Sequence, residues 1–175
     1  MSNTRQKLEE AKYFLSQMQA NIENPKNFAF NLSAFLSAAR SVTFVMRSEF
    51  ARFSGFDGWY KSKQEEMNGD GDFKFFNDMR VVTIHQRTVT PHRKTHITIS
   101  ETISASLTRK VVDKDGNVVS ERTSEPKAEK SPEEKVTIKH SWYFEERPDE
   151  DLLELCNAYV QKLEKLVDEC EKRCL

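Results

Sequence analysis

Arg80 and His85 are the two residues of this chain best suited by type and spacing to chemistry, since four residues separate them in one predicted helix. A histidine gains and loses its proton near neutral pH, so it can act as a general acid or base. An arginine keeps its charge and presents a fork of N–H donors that matches two phosphate oxygens. The pair is therefore suited to a reaction in which a proton moves while negative charge develops on phosphorus.

The Arg-x4-His spacing follows Asn77-Asp78 in a helical segment and resembles the signature of the HEPN superfamily, in which a histidine follows an arginine after four to six residues. The resemblance implies a small helical bundle that dimerises, with two Arg/His pairs meeting in a cleft between the protomers. It also implies that this cleft, in active members, cuts RNA without a metal. His85 would then transfer the proton, and Arg80 would stabilise the phosphorane formed by the RNA's own 2′-hydroxyl.

Helical geometry constrains this pair, because residues five apart on an ideal helix point about 140° apart. The long arginine, a local distortion or a second protomer must therefore bring Arg80 and His85 together. Val81 stands where HEPN members often have a polar residue, and Arg87 and His92 repeat the spacing just past the predicted helix. A second hypothesis stays open on these grounds, namely a non-catalytic helical binding or scaffold module that keeps the bundle without the chemistry.

Positive charge is concentrated in one part of the chain, although the formal net charge is only -1. Residues 80–112 hold six Arg and Lys against one acid, whereas residues 145–171 hold ten acids against three bases. The basic stretch predicts an RNA path that includes Arg87, Arg93 and Lys94. The alternative is that the two regions of opposite charge attract each other within the protein.

Arg40 is a further candidate for RNA binding, because it lies between Ala39 and Ser41 on the edge of an apolar helix face. A charge at such an edge needs a partner or a functional role. The alternative is that the arginine stem covers apolar surface while the guanidinium reaches water beside a surface acid.

No metal ion or other cofactor is expected from the sequence. Asn68, Asp70 and Asp72 have the spacing of the first ligands in a calcium loop, but the glycine and the glutamate that complete such a loop are missing. These acids are better explained as turn and cap residues. His92 and His96 would lie about 13 Å apart along a strand, too far for one ion. Five glycines leave little room for a phosphate-binding loop of the nucleotide enzymes.

The elements that position these residues are predicted from the spacing of the apolar residues. Helical spacing predicts helices over residues 3–24, 26–54, 57–67, 72–86 and 148–172. Between the last two, an alternating pattern predicts a three-stranded antiparallel sheet with a hairpin at Asp115-Gly116. Asp57 and Asp72 are expected to cap the third and fourth helices.

Together these elements predict a mainly α (α+β) fold, an up-and-down bundle of four to five helices with a small antiparallel β-sheet inserted before the last helix. Residues 1–175 are expected to form one domain, in which 1–90 and 148–175 make the bundle and 93–145 the β insertion. Residues 123–134 are rich in Ser, Pro, Lys and Glu, which predicts a flexible loop.

The cellular compartment is predicted from the N-terminus and the cysteines. The N-terminus lacks the apolar core of a signal peptide. No unbroken apolar run approaches the roughly 18 residues of a membrane span, so no membrane contact is expected. Three cysteines without a secretion signal indicate reduced thiols, and therefore a cytoplasmic protein.

The predicted helix over residues 26–54 has a wider apolar face than one neighbouring helix can cover. A homodimer is therefore expected, in agreement with the HEPN resemblance. RNA is the expected ligand under the first hypothesis, a HEPN-like ribonuclease or toxin-type effector, and a protein partner is expected under the second.

Overall fold

The structure, a computed structural model of the chain, describes residues 1–85, 90–100, 107–124 and 135–174. Within these ranges it contains five helices and four strands. In chain order they are α1 (Asn3–Ala20), α2 (Pro25–Phe50), α3 (Phe56–Gly69), α4 (Gly71–His85), β1 (His92–Ser100), β2 (Leu107–Val112), β3 (Val118–Ser124), β4 (Lys135–Tyr143) and α5 (Leu152–Cys174). The predicted mainly helical fold with a β insertion before its last helix is confirmed.

The chain divides into two compact units, one of residues 1–94 with 140–175 and the other of residues 95–139. The first, called the helical unit below, holds all five of these helices. In it α1 packs along α2, α5 contacts α1, α2 and α4, and α3 contacts α4. The second unit contains the hairpin of β2 and β3.

The core of the helical unit is built from the apolar stripes that the sequence predicts. Leu8, Leu15 and Met18 of α1 are buried, and α5 buries nine residues at helical spacing. α2 buries ten, among them Phe28 and Phe35. Since burying one large apolar side chain stabilises a fold by about 1.5–3 kcal/mol, α2 is a main contributor to core stability.

Polar side chains cap the N-termini of α1, α2 and α5. Ser2, Asn24 and Asp151 accept hydrogen bonds from backbone N–H groups in the first turns of α1, α2 and α5. Each such bond satisfies a donor that has no partner inside the helix. The cap at Asp151 explains why α5 begins at Leu152 and not at the predicted residue 148.

Two of the predicted caps are wrong. α3 follows Gly55, which has a φ of 77° and makes no side-chain cap, so Asp57 lies in the first turn instead. Only glycine adopts that backbone conformation without strain. α4 is capped by Asp70, whose Oδ1 accepts from the backbone N–H groups of Asp72 and Phe73 at 2.8 and 3.2 Å. Asp70 and Asp72 are both good capping residues, and sequence does not distinguish between them.

The four strands form two hydrogen-bonded pairs and not one three-stranded sheet. β1 pairs with β4, and β2 pairs antiparallel with β3, from Leu107 opposite Ser124 to Val112 opposite Val118. The alternating apolar and polar pattern runs on without a break in the sequence, but it covers two separate strands, β1 and β2. Residues 101–106, between them, lie outside the described residues.

The predicted hairpin lies between β2 and β3. Gly116 has a φ of 85° in this turn, and the Asp113 carboxylate accepts from the backbone N–H groups of Asp115 and Asn117. The predicted flexible loop begins within β3, which extends to Ser124, and its residues 125–134 lie outside the described part of the chain.

The end of β4 is anchored in the helical unit by aromatic side chains. Trp142 stacks on Phe28 with ring centroids 4.3 Å apart, and its Nε1 donates to the backbone oxygen of Ile22 at 2.9 Å. Phe144 is buried against Phe75, with ring centroids 5.1 Å apart. These contacts hold residues 140–144 to the helices.

α2 differs in one respect from the sequence expectation about membranes. It is long and apolar enough to cross a membrane by length and composition alone. Polar residues, among them Arg40 and Arg47, interrupt the apolar runs of α2. In this fold the apolar side of α2 covers the core of the helical unit, which accounts for the composition.

Candidate functional site

A cavity of about 410 Å³ opens among α2, α3, α4 and α5 of the helical unit. We call it the Arg40 cavity. Its charged lining residues are all cations. The full lining consists of Arg40, Thr43, Phe44, Arg47, Tyr60, Gln64, Met67, Asn68, Phe73, Lys74, Asn77 and Tyr159.

Helical spacing brings these side chains together. Arg40, Phe44 and Arg47 follow one another at intervals of four and three residues, so they share one face of α2. Tyr60 and Gln64 are four apart on α3 in the same way. The adjoining face of α2 is buried in the core, which fixes the rotation of the helix and so directs its polar side toward the cavity.

Arg40 is held in place by two of its neighbours on α2. Its Nη1 donates to Thr43 Oγ1 at 2.8 Å, and its Cζ lies 4.2 Å from the centroid of the Phe44 ring. Its Nε is buried and has no hydrogen-bond partner among the described residues. A buried donor without an acceptor costs about 1–3 kcal/mol, so a bound acceptor at this point would remove a real penalty.

Two tyrosines line the cavity with neutral hydroxyl groups. Tyr60 donates to the backbone oxygen of Thr43 at 3.2 Å, and burial raises its pKa. Tyr159 is buried and stacks on Phe76 with ring centroids 4.3 Å apart. Burial raises the pKa of Tyr159 to about 12, against the opposing effect of the Arg40 charge. All charge in the lining therefore comes from the cations.

Four cations at this site have no carboxylate partner in the part of the chain that the structure describes. Arg47 and Lys74 are exposed, and Arg80 lies with its Cζ 6.0 Å from the centroid of the same Phe44 ring. Among the described residues, none of these three or Arg40 forms an ion pair. A concave site lined by one sign of charge attracts ligands of the opposite sign. The arrangement is suited to binding an anion through several donors at once.

A family model described as bacteriophage lambda protein ea47 matches residues 1–174 of the chain. The chain belongs to the ea47 family. No curated protein and no solved structure matches it.

In this ea47-family chain, the structure brings together two of the residues that the sequence singles out. Arg40 and Arg80 come from α2 and α4 and meet at the Phe44 ring. His85 is the last residue of α4, and its side chain lies outside the described part of the structure, as does the whole of Arg87. The pairing of Arg80 with His85 therefore stays a prediction.

Arg93 and Lys94 do not line the Arg40 cavity. Arg93 Nη1 donates to the backbone oxygen of Glu23 at 3.4 Å, and Lys94 Nζ donates to that of Pro148 at 2.8 Å. Lys94 Nζ also lies 4.6 Å from the centroid of the Tyr143 ring. Both side chains remain exposed and keep their charge, because a carbonyl group does not neutralise it.

Sequence reasoning missed Arg47 and Lys74. The density of charge along the chain points to residues 80–112, whereas the cations of the cavity come from separate positions on α2 and α4. One signal was present, because Arg40 and Arg47 lie seven residues apart and therefore nearly two helical turns along one face of α2. The contribution of Lys74 depends on how α4 packs against α2, which periodicity does not reveal.

Proposed function

We propose that this ea47-family protein binds single-stranded RNA at the Arg40 cavity. The observation that carries the proposal is the group of four cations, Arg40, Arg47, Lys74 and Arg80, that have no carboxylate partner among the described residues. Such groups bind the phosphate backbone and release its counterions. We refer to them below as the unpaired cations.

The aromatic ring at this site favours a single strand over a duplex. Phe44 is 53% exposed, and the guanidinium groups of Arg40 and Arg80 lie close to it. An exposed ring flanked by cations is a platform on which an unpaired base can stack while its phosphates contact the cations. In a duplex both faces of each base are already covered by its neighbours.

A finer proposal is that the protein also cuts the RNA without a metal, with Arg80 and His85 as the catalytic residues. Support comes from the HEPN resemblance and from the place of Arg80, which is one of the unpaired cations and lies near the Phe44 ring. Arg80 would stabilise the charge of the phosphorane, and His85 would move the proton of the 2′-hydroxyl. The alternative is a module that binds RNA or a protein partner without cutting.

The protein is proposed to act as a homodimer, which the HEPN resemblance also implies. α2 supports this, because Phe30 is exposed on it although the helix packs in the core elsewhere. A specific dimer should bury at least about 1,000 Å² in total. Light scattering after size exclusion at micromolar concentration should give twice the chain mass, and the mass of one chain would exclude the dimer.

The test of RNA binding is the affinity of the purified protein for a fluorescent single-stranded RNA at low salt, beside the same sequence as a duplex. Arg47→Ala combined with Lys74→Ala should weaken binding of the single strand. It should also flatten the dependence of log affinity on log salt by about one unit for each lost phosphate contact. Both side chains are exposed, so the fold should persist.

The matched control is Arg52→Ala combined with Lys61→Ala. This variant removes the same charge from exposed positions of the helical unit that do not line the cavity. It should bind RNA like the wild type. Equal weakening by both double variants would show a general charge effect without a site, and no binding of single-stranded RNA at low salt would exclude the proposed function.

A further inference from the structure

We propose that the Arg40 cavity binds a phosphomonoester, the terminal phosphate of an RNA strand or of a free mononucleotide, in preference to the internal phosphodiester. The inference concerns the same site as the proposed function. It rests on that function only where the phosphate belongs to an RNA strand.

The number and placement of the cations fit a phosphomonoester. A monoester carries a charge of about −1.5 to −2 near neutral pH and three terminal oxygens that accept hydrogen bonds. An internal diester carries a single charge and has only two such oxygens. Among the described residues, the charged lining consists of Arg40 and Arg47 from α2 and Lys74 from α4, so the number of cations equals the number of terminal oxygens.

Arg40 supplies the most specific feature of the site. Its Nη1 is already bonded to Thr43, whereas its Nε is buried and has no partner among the described residues. The guanidinium is rigid and planar, so holding one nitrogen fixes the direction in which the other points. Nε is shielded from solvent in this structure, so a phosphate oxygen would satisfy this donor only after a shift of the neighbouring side chains.

The remaining lining suits the rest of a nucleotide. The volume of about 410 Å³ lies within the usual range for small-molecule sites and exceeds what a phosphate group alone would fill. The amides of Gln64, Asn68 and Asn77 can bond to polar edges of a base or sugar. Phe44 offers a ring face for stacking at the exposed side. Tyr159, with its raised pKa, keeps a neutral hydroxyl that can donate.

The ionisable groups of the lining make pH a diagnostic of the ligand. They are Arg40 and Arg47 on α2, Tyr60 on α3, Lys74 on α4 and Tyr159 on α5. Arginine and lysine stay protonated and tyrosine stays neutral between pH 5 and pH 7. A phosphomonoester loses its second negative charge over this range, since its second pKa is about 6. A diester does not change its charge there.

The first experiment compares uridine 5′-monophosphate, uridine and inorganic phosphate by titration calorimetry with the wild-type protein at pH 7.5 and pH 5. The monophosphate should bind at least about tenfold more tightly than the nucleoside, because only it can use the cations. Its affinity should fall at pH 5. Binding of the nucleoside equal to that of the monophosphate would overturn the inference.

The second experiment uses one short RNA with a 5′-phosphate, a 3′-phosphate or hydroxyl groups at both ends. A terminal phosphate should raise the affinity at least about tenfold over the unphosphorylated strand, and the preferred end identifies the polarity of the bound strand. If the monophosphate binds but a terminal phosphate does not raise the affinity for RNA, the ligand is the free nucleotide.

Arg40→Lys is the decisive variant, because it keeps the charge but removes the Nε–H and the planar fork. It should reduce the preference for the monophosphate over the nucleoside, while its thermal unfolding stays like that of the wild type. If Arg40→Lys unfolds, Arg47→Ala provides the same comparison from an exposed position.

The inference and the proposed function fail in distinguishable ways. Single-stranded RNA that binds equally well with and without a terminal phosphate, together with no binding of the monophosphate, would overturn the inference and keep the proposed function. Binding of the monophosphate without binding of any RNA would keep the cavity as a nucleotide site and exclude the RNA function.

Discussion

Two groups of cations in the helical unit have opposite surroundings. Each cation of one group contacts two carboxylates; for example, Lys162 Nζ lies 2.6 Å from Asp70 and 2.8 Å from Asp72. This group consists of Arg5, Lys12, Lys63, Arg147 and Lys162. The four unpaired cations around Phe44 have no carboxylate partner among the described residues. The ion pairs of the first group therefore hold helices together, whereas the cations around Phe44 are open to a ligand.

The contrast extends to the cavities on either side of Phe73 and Met67, which line both of them. The second cavity, of about 190 Å³, is lined by acids and bases together, including Asp70, Lys162 and Glu169. Its charges are largely neutralised within the protein, so it offers an anion little attraction. With 28 acidic residues in the chain, an all-cationic cavity is not explained by a shortage of carboxylates.

The ion pairs also bear on whether the basic stretch of residues 80–112 and the acidic stretch of residues 145–171 attract each other. The acids of α5 pair with Arg5 and Lys12 of α1 and with Lys63 of α3. The described ion pairs of residues 145–171 therefore do not involve the basic stretch of residues 80–112. Lys94 reaches the carbonyl oxygen of Pro148, which carries no charge to neutralise.

The largest expected effect separates chemistry from stability. If the protein cuts RNA as proposed, the wild type should cleave a single strand in the presence of a chelator and leave a cyclic phosphate. His85→Ala should lower the rate by about 10²-fold or more, the usual contribution of a positioned acid or base. Arg80→Ala should do similar damage by removing charge stabilisation. Product analysis on denaturing gels and single-turnover rates measure both.

Thermal unfolding of these two variants is the control, since a cleft residue can be replaced without loss of the fold. Absence of cleavage by the wild type would leave RNA binding without catalysis. Destabilisation by His85→Ala, with no cleavage by the wild type, would make the Arg-x4-His spacing a structural coincidence.

The next effect is acid sensitivity, which belongs to the paired region. Hydrogen bonds from Lys162 and Arg5 hold the pKa values of Asp72 and Glu171 below their usual range. A group whose pKa is lowered by folding stabilises the fold above its unfolded pKa, and this contribution is lost as the pH falls through the folded pKa. The Tm should therefore fall steeply below about pH 4.

Asp72→Asn tests the origin of that acid sensitivity. The variant should be less stable at pH 7 but lose less Tm between pH 5 and pH 3 than the wild type does. Arg47→Ala, in the unpaired group, should keep the wild-type dependence. An unchanged acid profile in Asp72→Asn would show that this carboxylate contributes little.

A smaller effect is expected at Lys162, which bonds two carboxylates at the start of α4. Lys162→Met keeps the apolar stem and removes the charge. It should cost about 1 kcal/mol, the upper end for partly exposed pairs, and so lower the Tm by about 2–4 °C. Its RNA affinity should equal that of the wild type. A drop in RNA affinity would mean that the two regions are not independent.

How far sequence alone predicts this molecule depends on the range of the interaction. The stripe of α5 predicts its buried side, because Leu163 and Cys170 lie where helical spacing puts them. The sequence predicts Asp72 as the N-cap of α4, two residues after the actual cap Asp70, because both aspartates suit a capping position. The cavity is missed almost entirely. Arg40 stands out as a charge on an apolar edge, but Tyr159 joins it only through tertiary packing.

The smallest expected effect concerns Arg93 and Lys94, whose carbonyl contacts place them in neither group. They bond to the backbone oxygens of Glu23 and Pro148 but stay exposed and fully charged. If they extend the RNA path as proposed, Arg93→Ala combined with Lys94→Ala should flatten the salt dependence of RNA affinity by about one unit for each lost contact. The terminal-phosphate preference should not change, because neither residue lines the Arg40 cavity. If the salt slope is unchanged and the Tm falls, both residues have a structural role, which is to hold β1 to the backbone at Glu23 and Pro148. RNA contact would then be limited to the unpaired cations.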